Sequence, residues 1–593
     1  MPDTRTPFEK ECAKLEGKYA EKVRLQKLIE LTWDYALRES PEFATYVGIQ
    51  DYDTFWTDRS LDAISRRKKE LDAPWKVLKT IRRGTLSSAD ALNLDLLLRK
   101  YELDREGREF PEEYLPISQM WGVHQEIPQT LSLMRHETAA DYGRILARME
   151  AIPAALAQVE ILLDKGLEAQ VTYPQIAMQK ALNQIEALAA ETEEKSALLQ
   201  AFREMPANLS GEQKALLKSQ AGTLYATAVK PALGRLAEKV KAYAAACRTE
   251  TAWAAMPEGQ KWYAFRAKQS TTTSLTPQEI HDIGLKEVAR LTLEMEAAQK
   301  KTDYLGLPEG FDAHIRMNPR FYFTSASEMI ESYRALCKRI DAQLPRFFLH
   351  LPQLPYGVEP VPDYSAPSQP PAYYQPGSLV GARAGMFYAN TYDLSARPKW
   401  TMEGLAAHEA VPGHHLQIAL AQELQGVPEF RKHEMYTAYV EGWGLYAETL
   451  GKEMGLYQDP YSEYGRLTYE MWRSIRLVVD TGMHSLGWSR EQALEYFRKH
   501  TGKSDLETEQ EVDRYLVFPG QALAYKIGHL KLLELRAIAQ GAEGEKFDIR
   551  VFHDKVLRNG ALPLDILEKL VTEREKPPAK ARNTKRPSRA RNG

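Results

Sequence analysis

Three imidazoles and a carboxylate fall within the stretch His408-Glu409-Ala410-Val411-Pro412-Gly413-His414-His415, in a chain with only 13 histidines among 593 residues. Neutral imidazoles bind divalent transition metals, and a Glu beside a ligand can take a proton from a water held by the metal. These residue types therefore point to a catalytic zinc site. The spacing departs from the zinc-peptidase pattern H-E-x-x-H, whose histidines lie four apart, about 40° from each other round one helix face. In a regular helix His414 would lie about 240° round from His408. His415 would return to the right face, but about 10.5 Å further along the axis. The Pro412-Gly413 pair resolves the mismatch. A mid-helix Pro clashes with the carbonyl four residues back, here that of His408, and Gly accepts the backbone of a bulge. A two-residue bulge brings His414 to the place of the usual second histidine, with His415 as the alternative. The competing reading is a kinked surface helix that carries a polar cluster.

A third protein ligand is needed, with one position left open for water. Gly426-Val427-Pro428 breaks the helix, and a second helix is expected from Pro428 through Glu448. The two should fold back as an antiparallel hairpin. The midpoint of His408 and His414 lies about 15 residues before the turn and Glu441 about 14 after it. Glu448 is about 21 after, roughly 9 Å too far at 1.5 Å per residue. Glu441 is thus the expected ligand, and Glu448, on the same face, supports the site from behind. The alternative, two solvated glutamates on an amphipathic helix, sits poorly with neighbours Trp443, Gly444 and Tyr446.

His408 to Gln417 reads H-E-x-x-P-G-H-x-x-Q, and Glu441 to Glu448 reads E-G-W-x-x-Y-x-E. Together they resemble the bacterial family catalogued as domain of unknown function 885. The likeness extends to Ser40-Pro41-Glu42-Phe43-Ala44-Thr45, to Thr276-Pro277-Gln278-Glu279-Ile280-His281, to Arg383 through Thr391 and to Tyr515 through Ala522, nearly the whole chain. The resemblance implies a zinc-dependent peptidase akin to the largely helical thimet-oligopeptidase, angiotensin-converting-enzyme and thermostable-carboxypeptidase group. It also implies that Phe518 to Gly528 matches the segment that completes the site in those carboxypeptidases. His484, Arg514 and Tyr525 are the candidates for that task, since a Tyr hydroxyl or a protonated imidazole can stabilise the oxyanion of peptide hydrolysis.

Composition sets the outer bounds. With 44% apolar and 27% charged residues this is an ordinary globular chain. A net charge of -3 argues against a dedicated nucleic-acid binder. Cys12, Cys247 and Cys337 are isolated thiols, which excludes a thiolate zinc site and suits a reducing compartment. The N-terminus lacks an apolar signal core, and no run of 18 apolar residues offers a membrane span. A cytoplasmic location is therefore expected; an exported lipoprotein, common among relatives of the family, is the alternative if the start is trimmed. Nothing in the sequence sets an oligomeric state.

Residues 8 to 39 are expected to form one amphipathic helix ended by Ser40-Pro41, and 60 to 250 helices broken at Pro111, Pro116, Pro128, Pro153, Pro174 and Pro206. Capping boxes at Thr276 to Glu279 and Ser325 to Glu328 open two more. The eight prolines between 351 and 377 mark a surface loop or a lid. Residues 385–392 are the best strand candidate, either a structural hairpin strand or an edge along which peptide backbone could pair. The expected architecture is a mostly α, zincin-like fold with a small sheet beside the metal helix and a deep groove. Residues 1–270 form one wall, 271–575 the catalytic half, and 576–593 a disordered basic tail.

The reading is a zinc metallopeptidase of short, unstructured peptides, an exopeptidase or oligopeptidase, with His408, His414 and Glu441 on Zn2+ and Glu409 as general base. Its rivals are a zinc hydrolase of another amide or ester, and a non-catalytic peptide-binding relative.

Overall fold

The computed structural model describes residues 4–307, 310–362, 366, 369–378, 383–501 and 505–572. It is mostly helical, with one three-stranded sheet. The expected basic tail, 576–593, lies outside the described residues. Among the described residues no helix is long and apolar enough to cross a membrane.

Eight helices position the site: α1 (Pro277–Gln299), α2 (Ala326–Asp341), α3 (Met402–Glu409), α4 (His414–Gln422), α5 (Thr437–Leu450), α6 (Pro460–His484), α7 (Asp505–Val517) and α8 (Leu523–Glu543). Helix α6 is the central beam. Asp459 caps it by accepting from the Tyr461 N–H, Pro460 fills the first turn, and residues on all its faces are buried, as expected of a core helix. Helix α1 lies along it at Gly284, where a Cβ would come within 2.8 Å of Leu477 and Val478. The capping box that starts α1 is formed: the Glu279 N–H donates to Thr276 Oγ1 at 3.3 Å and the Thr276 N–H to Glu279 Oε2 at 2.8 Å. At α2 the box is half made. Ser325 accepts from the Glu328 N–H, but the Glu328 carboxylate turns to Thr324. The largest apolar cluster draws Leu115 to Ala298 together with Trp400 to Ala522, so residues on both sides of position 270 share one core.

The sheet has the order β1-β3-β2, with β1 (Tyr356–Pro360) parallel and β2 (Ala372–Gln375) antiparallel to β3 (Gly385–Ala389). Alternate residues Gly385, Phe387 and Ala389 of β3 are buried, and Phe387 meets Tyr333 of α2 edge-on at 5.1 Å. Two expectations are corrected here. The strand at 385 is central, with both its edges hydrogen-bonded, so it has no free N–H or C=O row for a peptide. The proline-rich 351–377 segment supplies β1 and β2 rather than a bare loop; its described prolines sit at strand ends or outside the strands, Pro360 closing β1, an outer strand of the sheet.

The first helix is also divided, into Pro7–Lys14 and Glu21–Glu39, because Gly17 takes a left-handed φ of 69° between them. Pro128 lies inside a helix, Val123–Leu133, rather than ending one.

Candidate metal centre

The helix that begins at Met402 stops at Glu409 and a new one starts at His414. Ala410 to Gly413 form the expected interruption, with dihedrals of -95°/-107° at Ala410 and -77°/-128° at Gly413. The chain resumes when the His415 N–H donates to the Ala410 carbonyl at 3.1 Å. Only glycine fits at 413, since a Cβ there would lie 1.9 Å from the His408 carbonyl oxygen. Across this break the rings of His408 and His414 come to 4.6 Å, nearly perpendicular. Trp443 Nε1 donates to the Pro412 carbonyl at 2.8 Å and ties the turn to α5.

Helix α5 brings Glu441 against both rings. His408 Nε2 lies 3.4 Å and His414 Nε2 3.5 Å from Glu441 Oε2, and one ligand atom from each of the three residues falls within 4.8 Å of the others. These separations are long for direct N–H···O bonds, which cluster near 2.9 Å. They match the spacing of two ligands on a shared tetrahedral zinc, about 3.3 Å for bonds of about 2.0–2.1 Å. The donor set of two imidazoles and one carboxylate suits the same ion. The hairpin is as expected except that a short helix, Glu429–His433, occupies its turn and α5 proper starts at Thr437.

Behind the ligands, Glu448 is 1% exposed and its Oε1 accepts from His408 Nδ1 at 2.7 Å. That bond fixes Nδ1 as a donor and points Nε2 toward Glu441 and His414. Burial alone would lower the His408 pKa, but Glu441 and Glu448 outweigh it and hold the imidazole up to about 9. Burial would raise Glu441, yet the two imidazoles keep it well below the usual carboxylate range. Glu409 is half-buried, its carboxylate forms no hydrogen bond among the described residues, and burial pushes its pKa up.

His415 faces the other way. Its Nδ1 bonds the Tyr374 hydroxyl at 2.9 Å and its ring packs on Tyr356 at 4.6 Å, which ties the first turn of α4 to both outer strands. Burial drops its pKa to about 4, so it is a neutral anchor of the sheet.

Of the three residues expected to complete the site, Tyr525 interacts with Glu441, Arg514 is held beside other partners, and His484 lies elsewhere. Helices α5 and α8 cross where Gly528 meets Ala438 and Gly442: a Cβ on Gly528 would lie 1.8 Å from the Ala438 carbonyl oxygen. One turn before Gly528, Tyr525 reaches the field of Glu441. Arg514 of α7 bonds Glu511 at 3.2 Å and also Gln521. His484 is elsewhere: it is fully buried, accepts from the Trp253 N–H at 3.2 Å and donates to the Tyr515 carbonyl at 2.9 Å. With both ring nitrogens committed to backbone it has no proton for a substrate, and burial lowers its pKa to about 3.

Two residues that the sequence reading did not single out belong to the site's surroundings. Arg473 Nη2 lies 3.7 Å from Glu448 Oε1, and the Arg476 guanidinium stacks on the Tyr525 ring at 4.5 Å. The signal for them was a pair of arginines three apart in a largely apolar run, Met471 to Val479.

A family model described as "Bacterial protein of unknown function (DUF885)" matches residues 41–571. No curated protein sequence matches the chain. Among solved structures, a "putative lipoprotein" from Colwellia psychrerythraea is 27% identical with a TM-score of 0.88, covering 93% of this chain and 98% of that one. A "putative lipoprotein of unknown function" from Shewanella oneidensis is 17% identical with a TM-score of 0.74, covering 93% of this chain and 100% of that one, a likeness of fold. The first of these overturns the expected cytoplasmic location. The free cysteines behind that expectation do not decide it, since a protein without disulfides folds in either compartment.

Proposed function

We propose that this chain, which belongs to the DUF885 family of bacterial proteins, is a zinc-dependent peptidase of zincin-like fold acting on short, extended peptides. The reading is carried by the convergence of His408, His414 and Glu441 within 4.8 Å, with the uncommitted carboxylate of Glu409 next to the first ligand. Zinc held by these three residues would supply a Lewis acid that makes water acidic enough to lose a proton near neutral pH. Glu409 accepts that proton and returns it to the nitrogen of the leaving amine. One water is consumed: its oxygen bonds the carbonyl carbon, the C–N bond breaks, and a carboxylate and an amine are released. Glu448 holds His408 in the ligating tautomer, and the Tyr525 hydroxyl donates to the carbonyl oxygen as negative charge builds there. The side chain of Glu441 is 20% exposed and that of His414 11%, so a narrow extended chain is the fitting substrate and a folded domain is not. By analogy with the Colwellia relative, the protein is exported or lipid-anchored.

The test combines metal analysis with Glu409→Gln. Purified protein should hold one zinc, and the variant should hold as much while hydrolysing a mixture of short peptides at least about 10²-fold more slowly. Unfolded protein should be cut and its folded form spared. A variant as active as the wild type removes Glu409 from the reaction, and protein without a stoichiometric cation ends the reading.

A further inference from the structure

Three arginines, Arg473 and Arg476 of α6 and Arg514 of α7, are packed among carboxylates beside Tyr525. Glu511 of α7 is buried, and its Oε1 alone accepts from Arg476 Nε at 2.7 Å, Arg476 Nη2 at 2.6 Å, Arg514 Nη1 at 3.2 Å and the Tyr515 hydroxyl at 2.7 Å. Two guanidinium ions thus share one carboxylate. Arg476, with a side chain 8% exposed, has its Nη1 buried without a partner. One turn earlier on α6, Arg473 has Nε in the same condition, and its closest carboxylate, Glu448, is already bonded to His408. A buried cation with an unsatisfied N–H is costly unless an anion completes it. Other charges facing this wall are Glu441, which interacts with Tyr525, and Glu409, which interacts with Arg473, both committed to the proposed metal chemistry, and Asp480, which interacts with Arg514 and whose Oδ1 accepts from the Tyr263 hydroxyl at 2.6 Å and the Gly520 N–H at 3.0 Å. Tyr525 lies between wall and centre, stacked on Arg476 and in the field of Glu441.

We infer that Arg476 and Arg514 bind the terminal carboxylate of the peptide, so that the substrates are short peptides with a free C-terminus, shortened from that end. This rests on the peptidase reading for its substrate class, since the one anion every unmodified peptide carries is its C-terminal carboxylate. Guanidinium suits that group because its planar fork matches a carboxylate with two parallel hydrogen bonds.

The experiment uses matched peptides that differ only in ending as a free acid or an amide, so the wild-type protein is compared with itself. Cleavage of each is measured on zinc-loaded protein. Binding of each is measured by calorimetry on Glu409→Gln and on chelator-treated wild type. The acid should be cut and bound about 10- to 100-fold better than the amide. Arg476→Gln should erase the acid-over-amide ratio, chiefly by raising KM for the acid, and Arg476→Lys should restore part of it. If acid and amide are cut equally, the carboxylate site is overturned and the peptidase reading stands. If neither is cut but the acid binds better in an Arg476-dependent way, the site stands and the peptidase reading falls. If neither is cut nor bound, both fall.

Discussion

Replacing Gly444 by Ala tests whether His408 is positioned as tightly as a metal ligand must be. Gly444 sits one turn beyond Glu441 on α5, directly under the His408 ring. A Cβ there would lie 2.7 Å from Cε1 and 2.8 Å from Nε2, where ordinary contact begins at 3.4 Å. The ring must therefore recede by about 0.7 Å, several times the roughly 0.2 Å tolerance of a zinc–ligand bond. It cannot simply pivot, because Nδ1 is held to Glu448 at 2.7 Å. A displacement of this size should weaken zinc binding by about 10²-fold or more, equivalent to ~2.7 kcal/mol. The metal-free protein should suffer less. Overpacking costs about 1–3 kcal/mol, while the helix gains about 1 kcal/mol from replacing Gly. The assay is zinc competition against a chromogenic chelator on metal-stripped protein, with urea unfolding of the same samples. A variant that folds and binds zinc as tightly as the wild type would refute the steric argument and the assignment of His408 Nε2 as a ligand atom.

The two adjacent histidines should separate cleanly: His414→Ala empties the site, whereas His415→Ala keeps the zinc and loosens the sheet, seen as faster hydrogen exchange at 372–375. Zinc content that follows His415 instead would reverse the assignment. Glu448→Gln keeps the shape but weakens the bond to His408 Nδ1, so zinc affinity should fall by about 10- to 100-fold; unchanged affinity in the chelator competition would remove Glu448 from the site. A further outcome concerns acid. Burial holds His484 and His553 down to about 3, below the ordinary unfolded value near 6.5. A depressed folded pKa stabilises the protein above the unfolded pKa, and this contribution is lost as pH falls through about 6.5 toward 3. Each should add a slope of about 1.4 kcal/mol per pH unit. Stability by urea unfolding that stays flat from pH 6 to 4.5 would mean these imidazoles are not held neutral.

The clustering of His408, His414 and Glu441 was legible because helical geometry is arithmetic: spacing along one helix and level across a hairpin select His414 and Glu441. The Pro412-Gly413 interruption announced itself through residue type, although what Gly413 supplies is the absence of a Cβ against His408 rather than an unusual φ. Residues that act through burial were not legible. Arg473 and Arg476, three apart, look like a solvated helix face until α5, α7 and α8 close over them. His484 follows a polar Asp480-Thr481-Gly482 stretch that gives no hint of a fully buried site between Trp253 and Tyr515. The strand at 385 could be read from its β-prone residues, but not its central place, because its partners lie in a proline-rich segment that looks like coil.

The crossing of α5 and α8 at Gly442 and Gly528 has a mechanical consequence. Two helices whose backbones touch have no layer of side chains between them to slide or shear, so they move as one body. Glu441 rides on one and Tyr525 on the other, each within a turn of the contact. The ligand and the proposed oxyanion donor therefore keep their separation whatever the rest of the molecule does, and any breathing that admits a peptide must be taken up elsewhere. The sheet side is where it can occur, since β2 meets the first turn of α4 through one Tyr374–His415 hydrogen bond and ring packing. The protein behaves there like a vice with one jaw fixed to the bench.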